Sequence, residues 1–584
     1  MKHSLSLTPL ISLFVAGADW SSQPNADQLT RRWQTLFADL NPQLPHGVIT
    51  RLITGYRAGA EQLSVALAAE HRFDIHLLLA HKFNDTPGLV EAEKNFSIQR
   101  IVSLGRADDE MLLEPDPFAM RNQLALNFTD LLVCYYDQHS HVREHLVTLD
   151  LIRQAALSRK PVIWLNAQGE LNWLNLTALT DAALMIISAS DYSAQTLLDC
   201  FQPIKQLHDT PLTPYLQQLL NPRRQRDDPN AQCLASLNQD IQQPDAFELC
   251  WVNRILHRLG HDRLLSEFKH WWQNLHQDIQ PRQPLIEAFN QHHELANKAG
   301  GLHRSNVWLL YGFSALAVLV AVTSEVWQIH WLAFVELALI TSIIYRVWWA
   351  RKAKLHEKWI RHRFLAEQLR YCIMGYPILA IPKPFRLPVW QLKDNGKLHL
   401  ISAELWLLQR HLITTGLPCE NHQVYTPPYH NLDLAKHILG GVESQMHYHQ
   451  THHHQKHNGH HRLHWIAELS FLATFIAVVV HINLHADWLL LFTAALPAFA
   501  AAIHGILTKL EMERVSGQSA HIYLQLKQLD QALTQFIAQA KPGDDNWHQW
   551  VSLFYLADLS QQTMSDNITQ WQQLIQHQQT EIPA

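Results

Sequence analysis

Val48-Ile49-Thr50-Arg51-Leu52-Ile53-Thr54-Gly55-Tyr56-Arg57-Ala58-Gly59-Ala60-Glu61 decides how the N-terminal third of the chain is read. Residues 48–53 form a short apolar run of strand length, Thr54-Gly55 closes it, and from Gly59 a helical pattern runs through Leu63 and Leu67 to Glu70. The same alternation recurs on both sides. Residues 10–16 are apolar and end in Gly17-Ala18-Asp19, and residues 25–40 carry Leu29, Trp33, Leu36, Phe37 and Leu40 at helical spacing. Residues 75–80, 129–136 and 160–165 read as further strands. Strands alternating with helices need crossover connections, which predicts a Rossmann-like α/β domain with a mostly parallel sheet. Ligands of such sheets bind beyond the carboxyl ends of the strands. Here those ends are Gly17-Ala18-Asp19, Thr54-Gly55-Tyr56-Arg57 and Asp137.

The chain has 584 residues, enough for about four folded units. Its 46 Lys and Arg against 52 Asp and Glu leave a formal net charge of −6, which argues against a nucleic-acid binder. Charged residues make up 17% and hydrophobic ones 47%, an apolar balance, yet the mean hydropathy of −0.14 excludes a chain that is mostly membrane. The six cysteines form no C-x-x-C pair, so neither a disulfide framework nor a thiolate zinc site is expected. Lys2 with residues 5–18 has the outline of a signal peptide, but Thr8 and Pro9 interrupt it, and the strand–helix alternation downstream of Gly17 favours a strand.

Residues 307–326 and 331–345, then 465–480 and 488–507, are apolar runs of spanning length. The turns inside each pair lack Lys and Arg, whereas the outer flanks hold Lys298, Arg304, Arg346, Arg351, Lys352, Lys354, Lys456, Arg462, Lys509 and Arg514. The positive-inside rule therefore gives two hairpins that leave and re-enter the cytoplasm, with both terminal regions cytoplasmic at the inner membrane. Trp331 and Trp488 open the second span of each pair, and His303-Arg304 and His461-Arg462 precede the first, which reads as an internal duplication. The expected organisation is an α/β domain at 1–200, a helical connector at 201–300, the first hairpin with a basic helix at 301–375, a linker at 376–460, and the second hairpin with C-terminal helices at 461–584.

Residues 54–61 fit two readings: an anion cradle, with glycines allowing close approach and Arg57 pairing a phosphate, or a tight turn that simply needs glycine. Together with residues 130–137 and 155–165, this motif resembles the SLOG superfamily, Rossmann-like domains related to the cytokinin-activating phosphoribohydrolases. The resemblance implies a nucleotide-type ligand held by Gly17, Ala18, Asp19, Thr54, Gly55, Arg57, Gly59, Glu61 and Asp137. Enzymatic members carry a Gly-rich phosphate loop after the strand that ends at Asp137. Gln138-His-Ser-His-Val-Arg-Glu-His145 stands there instead, which implies sensing rather than hydrolysis, with no catalytic residue and no required cofactor.

After the first hairpin, Lys358-Trp359-x-x-x-Arg363-x-x-Ala366-Glu367-x-Leu369-Arg370 resembles the SLATT group of two-transmembrane effectors from bacterial conflict systems. Trp359, Arg363, Glu367 and Arg370 fall on one helical face. Glu336 and Glu468 lie inside spans, where a carboxylate is costly unless it faces protein or water, and so become candidates for a pore or helix contact. The histidine run at 447–464 reads as a solvated loop, with metal binding left open. The whole predicts a homo-oligomeric antiphage effector in the lipid bilayer, gated by a nucleotide-derived ligand. The competing reading is a metal or small-solute transporter that collects cargo on the histidines.

Overall fold

A computed structural model describes residues 9–220 except 46, 84, 85, 87, 107–114, 141, 175, 177, 178, 190, 191 and 193. It further describes 229–242, 279–280, and 283–575 except 393–397, 421–423, 485 and 542–545. The helical pattern at 247–275 lies outside the described residues.

The N-terminal elements alternate as β1 (Leu10–Gly17), α1 (Ala26–Gln43), β2 (Ile49–Thr54), α2 (Ala60–Glu70), β3 (Asp74–His81), α3 (Leu89–Asn95), β4 (Ile98–Arg106), α4 (Pro117–Leu126), β5 (Leu131–Tyr135), α5 (Arg143–Leu157) and β6 (Val162–Leu165). A less regular tail adds β7 (Leu171–Leu174), α6 (Asp181–Ser188), α7 (Ala194–Leu198), β8 (Phe201–Ile204), α8 (Leu212–Leu220) and α9 (Pro229–Gln242). Sheet order is β4-β3-β2-β1-β5-β6-β7-β8. Every pairing from β4 across to β6 is parallel, and β7 and β8 add antiparallel pairs. All residues of β1 and β5 are buried, as central strands covered on both faces require. The helical spacing in α1 places Leu29, Trp33, Leu36, Phe37 and Leu40 in the core.

Three strands of this sheet go beyond the sequence expectation: β4, β7 and β8. The outermost in the parallel half, β4, mixes Gln99, Arg100 and Ser103 with its apolar residues. It pairs with β3 on one side and is bridged on the other by Tyr425, whose backbone accepts from Ser103 N–H at 2.9 Å and donates to the Ile101 carbonyl at 3.0 Å. An edge strand with one exposed flank needs no continuous apolar run.

The second half is helical: α10 (Gln283–Val326), α11 (Leu332–Lys352), α12 (Leu355–Gly375), α13 (Ala403–Thr415), α14 (Asn431–Leu484), α15 (Leu489–Lys509), α16 (Met512–Gln539) and α17 (Trp547–Ile575). Among the described residues, four helical segments are long and apolar enough to cross a membrane: 284–326, 332–352, 427–484 and 489–539, the last being α15 continued by α16. The chain is thus a membrane-associated protein with an α/β domain. The 44 residues of α10 and 54 of α14 give rods of about 66 and 81 Å, so each extends well past a hydrocarbon core of about 30 Å. Consequently the first span begins inside the expected connector, and the histidine run at 447–464 is part of α14 rather than a loop. Helix suits that run because one flank packs on α16, with His452 and His453 meeting Ser519 and Ser516 at 3.2 and 2.9 Å.

The described residues within 376–430 form no linker either. Tyr376, Ile378, Leu379, Ala380, Leu407, Leu408 and Tyr425 are wholly buried in an apolar core that runs from Ile11 to Met564. Pro377-Ile-Leu-Ala-Ile381 carries too much apolar surface to remain in solvent, and the sheet and α17 cover it.

The duplication is visible in the backbone. Both α11 and α15 have 21 residues and begin 157 residues apart, at Leu332 and Leu489. Each is followed by a left-handed residue, Lys354 at φ 49° and Glu511 at φ 44°, again 157 apart, before α12 and α16 begin.

Candidate functional site

Crossovers from β1 and β5 diverge to opposite sides of the sheet, so their carboxyl ends form the switch point where ligands of such sheets bind. Three glycines shape this pole. Gly17 sits opposite Tyr135 in the ladder, and a Cβ there would lie 3.0 Å from the Tyr135 Cβ and 3.1 Å from that of Ala60. At Gly55 a Cβ would run into the Arg121 guanidinium and the Glu61 carboxylate. Gly59 precedes α2 at φ +83°, a conformation that L side chains rarely adopt, and a Cβ there would approach Asp19 Cα and Trp20 N at 3.1 Å. The Gly17–Trp20 turn and the start of α2 therefore meet backbone to backbone, which brings together two of the predicted strand ends.

Glu61 is fully buried. It accepts from the Arg57 N–H at 3.0 Å and takes a two-pronged contact from Arg121, at 2.8 and 3.2 Å. Its role is to hold the 55–59 turn in place. Thr54 is likewise structural, its hydroxyl donating to the Val15 carbonyl at 2.9 Å. Arg57 is the partly exposed cation of the turn. It lies 4.3 Å over the Phe118 ring and ion-pairs with Glu144, on the first turn of α5. Asp19 points outward and caps Ser21 at 2.8 Å, while the carbonyl of Ala18 faces Gly59. Asp137 accepts from His139 N–H at 2.9 Å and donates its own N–H to His145 Nδ1 at 3.1 Å. That bond makes Nδ1 an acceptor, and burial lowers the His145 pKa, so the ring is neutral with its proton on Nε2. Beside them the Tyr135 hydroxyl is buried with no hydrogen-bond partner among the described residues; burial, helped by Asp137, pushes its pKa up to about 12.

Arg121, Phe118 and Glu144 escaped sequence reasoning. A signal was present for two of them: Asp116-Pro117 reads as a helix cap, realised by Asp116 accepting from Phe118 N–H at 2.8 Å, and Arg121 then falls within an apolar helix. An Arg in such a setting calls for a buried acid.

The opposite, amino pole is where the helical half attaches. Arg410 on α13 ion-pairs with Asp130 just before β5 and donates to the Leu10 carbonyl at 3.1 Å. Asp130 also accepts from Ser12 N–H at 3.0 Å. Arg51 donates to Asp74 at 2.7 Å and to the Ile413 carbonyl at 2.6 Å, and Arg100 reaches the carbonyls of Thr415 and Leu417, each at 2.6 Å. Lys160 donates to the carbonyls of Leu126 and Thr129 at 2.5 and 2.6 Å, and burial lowers its pKa to about 8.

The juxtamembrane residues converge as the helical face predicted, but onto protein. The Trp359 ring fills the space beside Gly300 on α10 and stacks on His303 at 5.5 Å. Glu367 is buried between Arg363 at 2.6 Å and Arg370 at 2.9 Å. Burial alone would raise its pKa; the two guanidiniums reverse the sign and hold it low. The two span glutamates do not meet. Glu336 is half-buried one turn after the start of α11 at Leu332, about 6 Å along the axis, next to the hairpin turn. Glu468 is exposed and pairs with His464 at 3.1 Å, 16 residues or about 24 Å before the turn end of α14. They occupy opposite ends of their spans and share no layer within one chain. Among the described residues no group of three His, Cys, Asp or Glu side chains is arranged to hold a metal ion.

Neither a protein-family model, a curated protein nor a solved structure matches this chain.

Proposed function

We propose that this chain is a ligand-gated membrane effector: its α/β domain binds a nucleotide-derived anion at the carboxyl pole, and binding alters how the two hairpins associate, permeabilising or deforming the bilayer. The SLOG-like and SLATT-like motifs support a role in antiphage defence, and the Lys and Arg flanks support an inner-membrane protein with cytoplasmic terminal regions.

One observation carries the reading. Arg57, the cation suited to a phosphate, stands beside the glycine turn at the switch point, and its present partner is Glu144. An incoming phosphate competes with that carboxylate for the same guanidinium. Glu144 opens α5, whose 15 residues run about 22 Å towards the amino pole. There Lys160 grips the 126–129 segment next to Asp130, the partner of Arg410. Releasing Glu144 thus biases a helix that connects the ligand pole to the attachment of the spans.

The test is calorimetry of the full chain in lipid nanodiscs against a panel of nucleotides. Arg57→Ala should abolish binding of the nucleotide that the wild type takes up, and Glu144→Gln should tighten it several-fold by removing the competitor. Unchanged affinity in both variants would remove the site.

A further inference from the structure

The spans are two copies of one unit joined head to tail. Positions 157 residues apart do matching work: Leu310 and Ile343 pack inside the first hairpin, and Ala467 and Ala500 inside the second. His303 meets His356 at a ring separation of 4.6 Å, and 157 residues on His460 meets Glu513 at 4.0 Å.

The seam between the copies is not two-fold symmetric. The first helix of copy one, α10, packs on the second helix of copy two, α15, where the Tyr311 ring occupies the space that a side chain at Gly505 would need. No comparable packing of α14 on α11 exists among the described residues of the chain. The spans therefore stand in the order α11-α10-α15-α14. The outer flanks of α11 and α14 are two halves of a contact already made once inside the chain.

Such a contact is heterologous, and a heterologous contact repeats until it closes. Both hairpins cross the bilayer in the same sense, so the operation that relates the copies has its axis along the membrane normal and keeps further copies in the plane. The flanks also carry complementary chemistry. The counterpart of Tyr311 on α14 is Glu468, an exposed carboxylate within a span. Opposite it, the counterpart of Gly505 on α11 is Trp348, 53% exposed, with the Lys352 ammonium 4.9 Å above its ring. An indole N–H and an ammonium would add a donor and a counter-charge to the single His464 contact that Glu468 makes within its own helix.

We infer that this protein assembles through α14 of one copy against α11 of the next, with Glu468 meeting Trp348, into a closed ring in the membrane plane. The inference concerns the spans alone and does not depend on the ligand.

Disulfide trapping of the full chain in native membranes tests it. Trp348→Cys combined with Glu468→Cys should give, on oxidation, a ladder of dimers, trimers and larger species, whereas either substitution alone stays at monomer mass. Tyr311→Cys with Gly505→Cys should crosslink within the chain and leave the mass unchanged, reporting that the internal seam is intact. Wild-type protein in native nanodiscs should weigh a multiple of the 67.4 kDa chain. A crosslinked internal seam without a ladder would overturn the assembly, as would dimers formed by Glu468→Cys alone, which require a symmetric contact. A wild-type chain that is uniformly monomeric in nanodiscs would do the same.

Discussion

At the amino pole of the sheet, Arg51, Asp130 and Arg410 are buried and hydrogen-bonded, with His76 and Lys160 beside them. At the carboxyl pole, Arg57, Glu144, Asp19 and Asp137 keep contact with solvent around three glycine positions. A buried ion pair is held by geometry, and breaking it leaves a charge in a poor solvent; a solvated pair exchanges partners at little cost. The difference separates a fixed joint from a pole whose charges can still change partners. Charge buried at one end fastens the membrane helices to the sheet, and charge left wet at the other stays open to a competing anion.

The comparison is most exposed to failure at Asp130. Asp130→Ala leaves Arg410 buried without its partner and should destabilise the α/β domain by about 3–5 kcal/mol in chemical denaturation. A loss similar to that of Asp19→Ala at the other pole would erase the distinction.

Acid should act on the amino pole through His76 and on the helical half through His411, whose ring lies 6.5 Å from that of His292. Burial holds His76 and His411 neutral, with pKa values near 3 and 4 against an ordinary 6.5. Below 6.5 the unfolded chain takes up protons that the folded one refuses, so stability should fall as pH drops from 6.5 towards 4. Each imidazole can contribute up to tenfold per pH unit in the folding equilibrium. Asp74 adds to the loss only at lower pH. Burial alone would raise its pKa, but His76 and Arg51 hold it well below the usual carboxylate range, so its contribution survives until more acidic conditions. Thermal melts in nanodiscs across this window would show it, and a flat profile between pH 6.5 and 4 would refute the neutrality of the two buried histidines.

Smaller effects belong to the carboxyl pole. Gly59→Ala puts a side chain at φ +83° against the backbone of Asp19 and Trp20 and should cost about 2 kcal/mol, together with any ligand affinity. Arg57→Ala removes only a half-exposed pair and should change stability by less than about 1 kcal/mol while abolishing nucleotide binding by calorimetry. A large stability loss at Arg57 would make it a structural residue like Glu61.

How far the site was legible depends on what each residue does. Gly17, Gly55 and Gly59 stand out because a backbone exit has a local signature. Arg57 and Glu61 share one motif, but its pattern cannot say that one is a cation at the solvent edge and the other a buried brace. That division is set by Arg121 and Glu144, 60 and 87 residues away from their partners. The histidines at 447–464 illustrate the converse: their composition suits a solvated loop, and only the flank of α16 makes helix the better state.

Periodicity along the chain determined the parallel α/β sheet, the four apolar spans, their pairing into hairpins and the duplication, because each depends on neighbours a few residues apart or on a repeated local pattern. Tertiary structure alone decided that residues 376–430 complete the core rather than link domains, that Arg410 and Asp130 fasten the two halves, and that Glu336 and Glu468 lie at opposite ends of their spans. Ion pairs across 280 residues and the depth of a side chain in a helix leave no periodic trace; they exist only once distant segments have packed.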